Sequence, residues 1–306
     1  VQEVYEPGST GKVITVAAAM EEGLITPETV FTIPYSMKVS DGVFRDHEKH
    51  PTQRLTTTGL LAVSSNTGSI KIGQKLGKDN LYKYLTKFGI GQSTNSKLPG
   101  ESAGILHPVK NWSGTSLPTI SFGQGYSLTA MQATSVFATI ANNGVRVKPS
   151  ILAGVVNESG KYTPAAANES TRVLSEQTAI NMRAMMENVV SKNGTAPSAA
   201  INGYRVAGKT GTAERYNTAC KCYSGYTASF IGFAPADQPK YVVSVTIQDP
   251  KGMHWGGVLA GPVFKKVMGF VLQNQRISPT PETKTFYSLT EAALKQRSKI
   301  TPKSGA

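Results

Sequence analysis

The sequence predicts an α+β domain: an antiparallel β-sheet flanked by helices, joined to a helical subdomain. Two observations carry this. Much of the first half consists of segments whose apolar residues recur three and four apart, the period of a helix with one buried face. The second half holds β-branched and aromatic runs in which Val243, Val245 and Ile247 alternate with Ser244, Thr246 and Gln248, the period of a half-buried strand. A helical region followed by such a sheet and a closing helix is a layered arrangement, not an alternating one.

In chain order, the first helix follows Ser9: Val13, Val16, Ala17 and Met20 fall at helical spacing and Gly23 supplies the stop, so Ser9 lies at a helix N-terminus. Further helices are expected over Leu55–Val63, Ser69–Leu76, Asn80–Phe88, Leu128–Ile140 and Glu176–Val190. Strands are expected over Tyr204–Ala213, Tyr226–Ala234 and Tyr241–Gln248, with a closing helix over Pro262–Gln273. The chain then divides into a folded domain, 1–278, and a basic tail, 279–306, polar and Lys-rich with room for a short helix at Leu289–Leu294. No internal repeat is present.

Composition narrows the function. The chain has 306 residues, 39% hydrophobic and 17% charged, which suits a folded domain and not a disordered or collagen-like one. Its 32 Lys and Arg against 19 Asp and Glu leave a net charge of +13, which favours polyanionic surroundings: nucleic acid, anionic lipid or anionic wall polymer. The basic residues are scattered, with no RNP-like, zinc-finger or basic-zipper pattern, so no nucleic-acid partner is expected. The longest mainly apolar run, Val13–Met20, falls short of the ~18 residues of a membrane span. Any anchor or leader is therefore expected outside this chain.

Metals and cofactors are not expected either. His47-Glu48-Lys49-His50 lacks the two residues that a zinc-binding helix needs between Glu and the second His, and reads as surface histidines in a basic loop. Cys220-Lys221-Cys222 is too small for a disulfide framework or a zinc site, leaving a local disulfide, a stray metal or two loop thiols open.

Chemistry concentrates in three short elements: Ser9-Thr10-Gly11-Lys12, Ser64-Ser65-Asn66 and Lys209-Thr210-Gly211-Thr212. Ser and Lys three apart on a helix share a face, so the amine can reach the hydroxyl. A neutral Lys12, produced by burial and nearby cations, could take the Ser9 proton, and the helix N-terminus would favour the negative charge that develops there. The second element, on a loop, offers a hydroxyl for proton relay and an amide for clamping a peptide bond. The third puts a cation and two hydroxyls on a strand, where Gly211 permits close backbone approach, suiting a carboxylate at the end of an extended peptide.

Such a trio, with Asp where this chain has Ser65, marks penicillin-binding proteins and class A β-lactamases. The segments Tyr5–Lys12, Ser64–Asn66, Ser121–Tyr126 with Leu128–Gln132, and Gly203–Ala213 resemble a class B penicillin-binding protein of the septal, cell-division type, and the likeness runs from the first residues to about Ile277. The resemblance implies Ser9 as acylated nucleophile, Lys12 as general base and Ser64 as relay to the leaving amine. It implies Asn66 on the substrate amide, Lys209, Thr210 and Thr212 on the terminal carboxylate, and an oxyanion hole from the backbone N–H groups of Ser9 and Thr212.

The implied activity is DD-transpeptidation of peptidoglycan stem peptides, blocked by β-lactam antibiotics, with no cofactor. It further implies a membrane anchor on the full-length protein, an extracytoplasmic catalytic domain, and a membrane glycosyltransferase and division proteins as partners. Gly11 departs from the family, which usually carries a bulky apolar residue there, and the family's N-terminal strands, pedestal domain and anchor precede the nucleophile.

Rival readings are fewer. Gly203–Thr210 satisfies the phosphate-loop pattern, but a loop-like stretch precedes it and Gly211 and Thr212 do not start a helix. A D-alanyl-D-alanine carboxypeptidase, a β-lactam sensor and an inactive division scaffold share the same motifs. A β-lactamase needs a deacylating carboxylate, for which Glu101 and Glu187 are unplaced candidates. Tyr126 and Tyr223 either line the cleft or pack.

Overall fold

The structure, a computed structural model, describes residues 1–217, 220–280 and 287–300. At its centre lies helix α1, Lys12–Glu21, entered through a 3-10 turn over Gly8–Gly11. Every residue from Lys12 to Met20 is buried, so α1 is enclosed all round and has no solvent face. It stops at Gly23, in the left-handed region at φ +68°, where the N–H groups of Gly23 and Leu24 donate to the carbonyls of Met20 and Ala19 at 3.0 Å.

Helices α2 (Thr57–Ala62), α3 (Asn66–Leu76), α4 (Lys78–Lys87), α5 (Ser116–Ser121), α6 (Ala130–Ala141) and α7 (Glu176–Val190) follow, and α1 packs against α2, α3, α4 and α7. Strands Ala207–Asn217, Cys222–Ala234 and Tyr241–Gln248 form one antiparallel sheet in that order. Helix α8, Gly256–Asn274, covers one face, where Phe230 meets Phe264 at a ring separation of 4.7 Å. Ile231 and Phe233 belong instead to the core that contains α1, α6 and α7. The middle strand is thus buried on both faces from Ala228 to Ala234, which is why it reads as a continuous apolar run. Tyr241–Gln248 borders the sheet, with a single neighbour among the described residues.

Helix α7 and the strand Tyr241–Gln248 lie where the sequence places them. Other boundaries move for local reasons. The helix expected from Leu55 starts at Thr57, because Gln53–Thr56 pairs as a strand with Val30–Ile33 and the Thr56 hydroxyl caps α2 by accepting from the Gly59 N–H at 3.0 Å. Leu128 and Thr129 pair with Tyr5 and Val4, so α6 begins at Ala130 behind a capping box made by Thr129 and Gln132. The helix expected at Pro262 starts at Gly256 and carries that proline inside it.

Lys209 and Thr210 sit within a strand, opposite Ile231 and Phe230, and no helix opens after them, which removes the phosphate-loop pattern. Past the sheet, helix α9 (Glu291–Ile300) replaces the expected Leu289–Leu294. Its approach is tied to the body: the Thr56 N–H donates to the Leu289 carbonyl at 3.1 Å, and Arg54 pairs with Glu291 at 3.0 Å. Among the described residues no helix is long and apolar enough to cross a membrane.

Candidate active site

Ser9 stands on the 3-10 turn before α1, 6% exposed. Two contacts fix that turn: the Gly8 N–H donates to the Gly123 carbonyl at 2.8 Å, and the Thr10 hydroxyl donates to the Pro7 carbonyl at 2.8 Å. The strand Ala207–Asn217 runs beside it at contact distance. A β-carbon on Gly211 would lie 3.0 Å from the Pro7 oxygen and from Thr10 Cγ2, and against Ser229 Oγ, so only glycine lets the two segments meet.

Gly11 has a similar cause. A β-carbon there would strike the Tyr126 hydroxyl and come within 2.9 Å of Gly123 Cα, so the departure from the family pattern is tied to a tyrosine filling that space. Tyr126 is buried, and its hydroxyl has no hydrogen-bond partner among the described residues. Gly11→Ala is therefore expected to cost about 1–3 kcal/mol by overpacking. Tyr126→Phe should be neutral or stabilising alone and should recover part of the Gly11→Ala loss, since it removes an unpaired buried hydroxyl. Thermal melts of the two variants and their combination measure this.

Ser64 owes its position to the end of α2. The Ser65 N–H donates to the Leu60 carbonyl at 2.9 Å, the closing bond of a helix stop that puts Ser64 in the left-handed region at φ +63°. Glycine is usual at that position; a serine there carries backbone strain of about 1 kcal/mol or more. The next residue, Ser65, caps α3 by accepting from the Gly68 N–H at 2.9 Å. The loop expected to carry all three residues is therefore a two-residue junction, and Asn66 is the first residue of α3.

Two buried lysines converge on this junction. Lys12 Nζ donates to the Ser64 carbonyl at 2.5 Å, to Asn66 Oδ1 at 2.7 Å and to Ser64 Oγ at 3.3 Å. Lys209 Nζ donates to Ser64 Oγ at 2.8 Å and to Thr210 Oγ1 at 3.3 Å. With both amines donating to its oxygen, the Ser64 hydroxyl keeps its own hydrogen for a further acceptor. Burial pushes Lys12 down to about 7, opposed by the Asp46 carboxylate. Burial, reinforced by the charge of Lys12, pushes Lys209 well below the ordinary lysine range.

A cleft of about 530 Å³ opens over these groups, lined by Ser9, Ser64, Ser65, Thr210 and Thr212. Lys12 and Lys209 are fully buried behind it. Thr210 Oγ1 lies 2.9 Å from Thr195 Oγ1, and Thr212 Oγ1 accepts from the Gly256 N–H at the start of α8 at 3.2 Å. Of the eight sequence-nominated residues, Ser9, Ser64, Thr210 and Thr212 line the cleft, Lys12 and Lys209 lie buried behind it, Asn66 meets Lys12, and Gly211 lies between the two threonines on the strand; the side-chain partners of Lys12 are Ser64 and Asn66.

The sequence missed the rest of the wall. Asp46, His47, Glu48 and Trp255 also line the cleft. The histidines do sit in a surface loop, with His47, Glu48 and Lys49 exposed, but that loop forms part of the cleft wall: His47 sets its ring edge-on to Trp255 at 5.4 Å, and His50 meets Asp46 at 3.1 Å. Loss of solvation against the cleft walls, then the charges of Lys12 and Lys209, push His47 down to about 4. Only the His47-Glu48-Lys49-His50 pattern in the sequence hinted at chemistry there, and nothing in its spacing tied it to Ser9 or brought in Asp46.

Glu101 and Glu187 are elsewhere. Glu101 accepts from the Ser96 N–H at 3.2 Å, and Glu187 pairs with Arg205 at 2.6 Å. Tyr126 packs, and Tyr223 is exposed with its hydroxyl donating to Glu6 at 3.2 Å. Cys220 and Cys222 form a local disulfide.

An antiparallel sheet whose edge strand faces a serine–lysine turn, with a second hydroxyl shared by two buried lysines, is the architecture of the penicillin-recognising serine enzymes. The chain belongs to that group's penicillin binding protein transpeptidase domain family, whose model matches residues 1–269, and within it to the class B type. It is 40% identical over 292 residues to penicillin-binding protein PbpB of Mycolicibacterium smegmatis, covering 92% of this chain and 45% of the relative. It is 35% identical to peptidoglycan D,D-transpeptidase FtsI of Escherichia coli, covering 91% of this chain and 45% of that protein. Penicillin-binding protein 3 of Mycobacterium tuberculosis, solved with aztreonam, superimposes with a TM-score of 0.88 at 36% identity, covering 94% of this chain and 66% of that one. The chain spans about half the length of these curated relatives.

Proposed function

We propose that this domain is a peptidoglycan DD-transpeptidase acting through a serine acyl-enzyme. Neutral Lys12 takes the Ser9 proton as Oγ attacks the carbonyl between the two terminal D-alanines of a stem peptide. The carbon–nitrogen bond breaks, D-alanine leaves with a proton passed from Lys12 through Ser64, and the peptide stays on Ser9 as an ester. An amine from a neighbouring stem then attacks that ester, its carbon–nitrogen bond forms as the carbon–oxygen bond breaks, and its proton returns along the same path to Ser9.

In this mechanism the backbone N–H groups of Ser9 and Thr212 stabilise the oxyanion. Asn66 holds the peptide amide, while Lys209, Thr210 and Thr212 receive the terminal carboxylate, with Gly211 letting the strand lie against the Ser9 turn. The observation that carries the proposal is the Ser64 hydroxyl held by both Lys12 and Lys209, which supports a relay between a base and a leaving amine. For the full-length protein we further propose a membrane anchor, an extracytoplasmic active site, and partnership with a membrane glycosyltransferase and division proteins. The net charge of +13 supports surroundings of anionic wall polymer.

Intact-mass spectrometry after a penicillin pulse tests the proposal, with a single long-lived adduct expected. Rapid loss of the adduct would point to hydrolysis and would replace the proposal with a β-lactamase; no adduct would leave an inactive scaffold. Products formed with and without an acceptor amine then separate transpeptidase from carboxypeptidase.

A further inference from the structure

Asp46 ends the hairpin of Ser36–Val39 and Gly42–Arg45, and its side chain is 9% exposed. One carboxylate oxygen accepts from the backbone N–H groups of Asn66 at 2.6 Å and Thr67 at 2.9 Å. The other accepts from the Ser65 hydroxyl at 2.8 Å and meets His50 Nε2 at 3.1 Å. The neighbouring Arg45 carbonyl accepts from Asn66 Nδ2 at 2.9 Å, which turns the Asn66 amide oxygen towards Lys12 at 2.7 Å. A carboxylate at the N-terminus of α3 is electrostatically favoured, but here it also fixes a backbone and a side chain that meet the reacting lysine.

We propose that Asp46 is the positioning residue of the acyl-transfer site: from a separate hairpin, its carboxylate fixes the Ser64–Asn66 junction against Lys12 and holds a counter-charge behind that amine. Where the related trio carries its own Asp, this chain carries Ser65, whose hydroxyl reaches the carboxylate instead. The charge matters because Lys12 is otherwise faced by Lys209 from the sheet and by His47 beside the cleft, and Asp46 alone among these groups favours its protonated form. This rests on the acyl-enzyme reading above.

The test is the rate of penicillin acylation across pH for the wild type, Asp46→Asn and Ser65→Ala. Asp46→Asn is expected to slow acylation about 10- to 100-fold through misplacement of the junction. It should also move the acid limb to lower pH, because losing the counter-charge makes Lys12 easier to deprotonate. Ser65→Ala, which keeps the charge, should slow acylation less and leave the limb in place. A slowed Asp46→Asn with an unmoved limb would mean a merely structural role and overturn the proposal, as would a rate equal to wild type. If Asp46→Asn does not fold, Ser65→Ala decides: an unchanged rate overturns the positioning. Failure of the wild type to form an adduct would instead sink the acyl-enzyme reading itself.

Discussion

Ser9→Ala is expected to abolish covalent capture of a β-lactam, so that intact mass after a long pulse shows no adduct. The expectation is this large because Ser9 is the cleft hydroxyl on the turn that opens α1, whereas Ser64 is already committed as acceptor to two amines. No other group in the proposed mechanism can form the ester, and binding alone leaves no covalent mass. The fold should survive, since the turn is fixed by Gly8 and Thr10 and the one bond Ser9 adds, its carbonyl accepting from the Lys12 N–H, is a backbone bond that alanine keeps. Penicillin labelling that persists in a folded Ser9→Ala variant would overturn the assignment of the nucleophile.

Lys12→Ala is expected to slow acylation by about 10²- to 10⁴-fold, the range associated with a general base. In the wild type, acylation should rise with pH through about 7 and level off above it, falling about tenfold per pH unit on the acid side. That follows from the sign of the shift, because only the neutral amine can take the Ser9 proton. The stability consequence runs the same way. Unfolded Lys12 holds its proton up to its ordinary value of 10.5 while the folded form loses it near 7, so this group adds stability as pH rises across that interval. Lys12→Met should accordingly keep or raise thermal stability while losing acylation, because it removes a buried amine that opposes folding. An acylation rate within twofold of wild type in either variant would exclude Lys12 as the base.

Local signals in the sequence carried the helices and strands well, because α7 and the strand Tyr241–Gln248 are long and strongly periodic. Helix starts slipped where a short strand abuts a helix, as at Leu55 and Leu128, since pairings of four and two residues are too short to leave a periodic trace. The eight candidate residues could be nominated because serine, lysine and asparagine stand at spacings that the proposed chemistry demands. Asp46 was not: its partners lie 19 to 21 residues away across a hairpin, and its value comes from hydrogen bonds to backbone N–H groups that no side-chain pattern encodes. Gly11 was misleading for the opposite reason. Seen along the chain it weakens a helix start, yet its cause is Tyr126, brought against it by the fold.

The bordering strand Tyr241–Gln248 has a consequence for handling this domain in solution. Its outer row of peptide groups, eight residues long, has no strand partner among the described residues, and the Ser244 hydroxyl is buried without a hydrogen-bond partner there. Such an edge is a template on which a second copy can add its own strand. A net charge of +13 keeps copies apart at low ionic strength, and salt shortens the reach of that repulsion to about 10 Å at 0.1 M. Self-association of the isolated domain is therefore expected to grow as salt is added, the reverse of what a complex held by charge would do, and sedimentation across a salt series measures it.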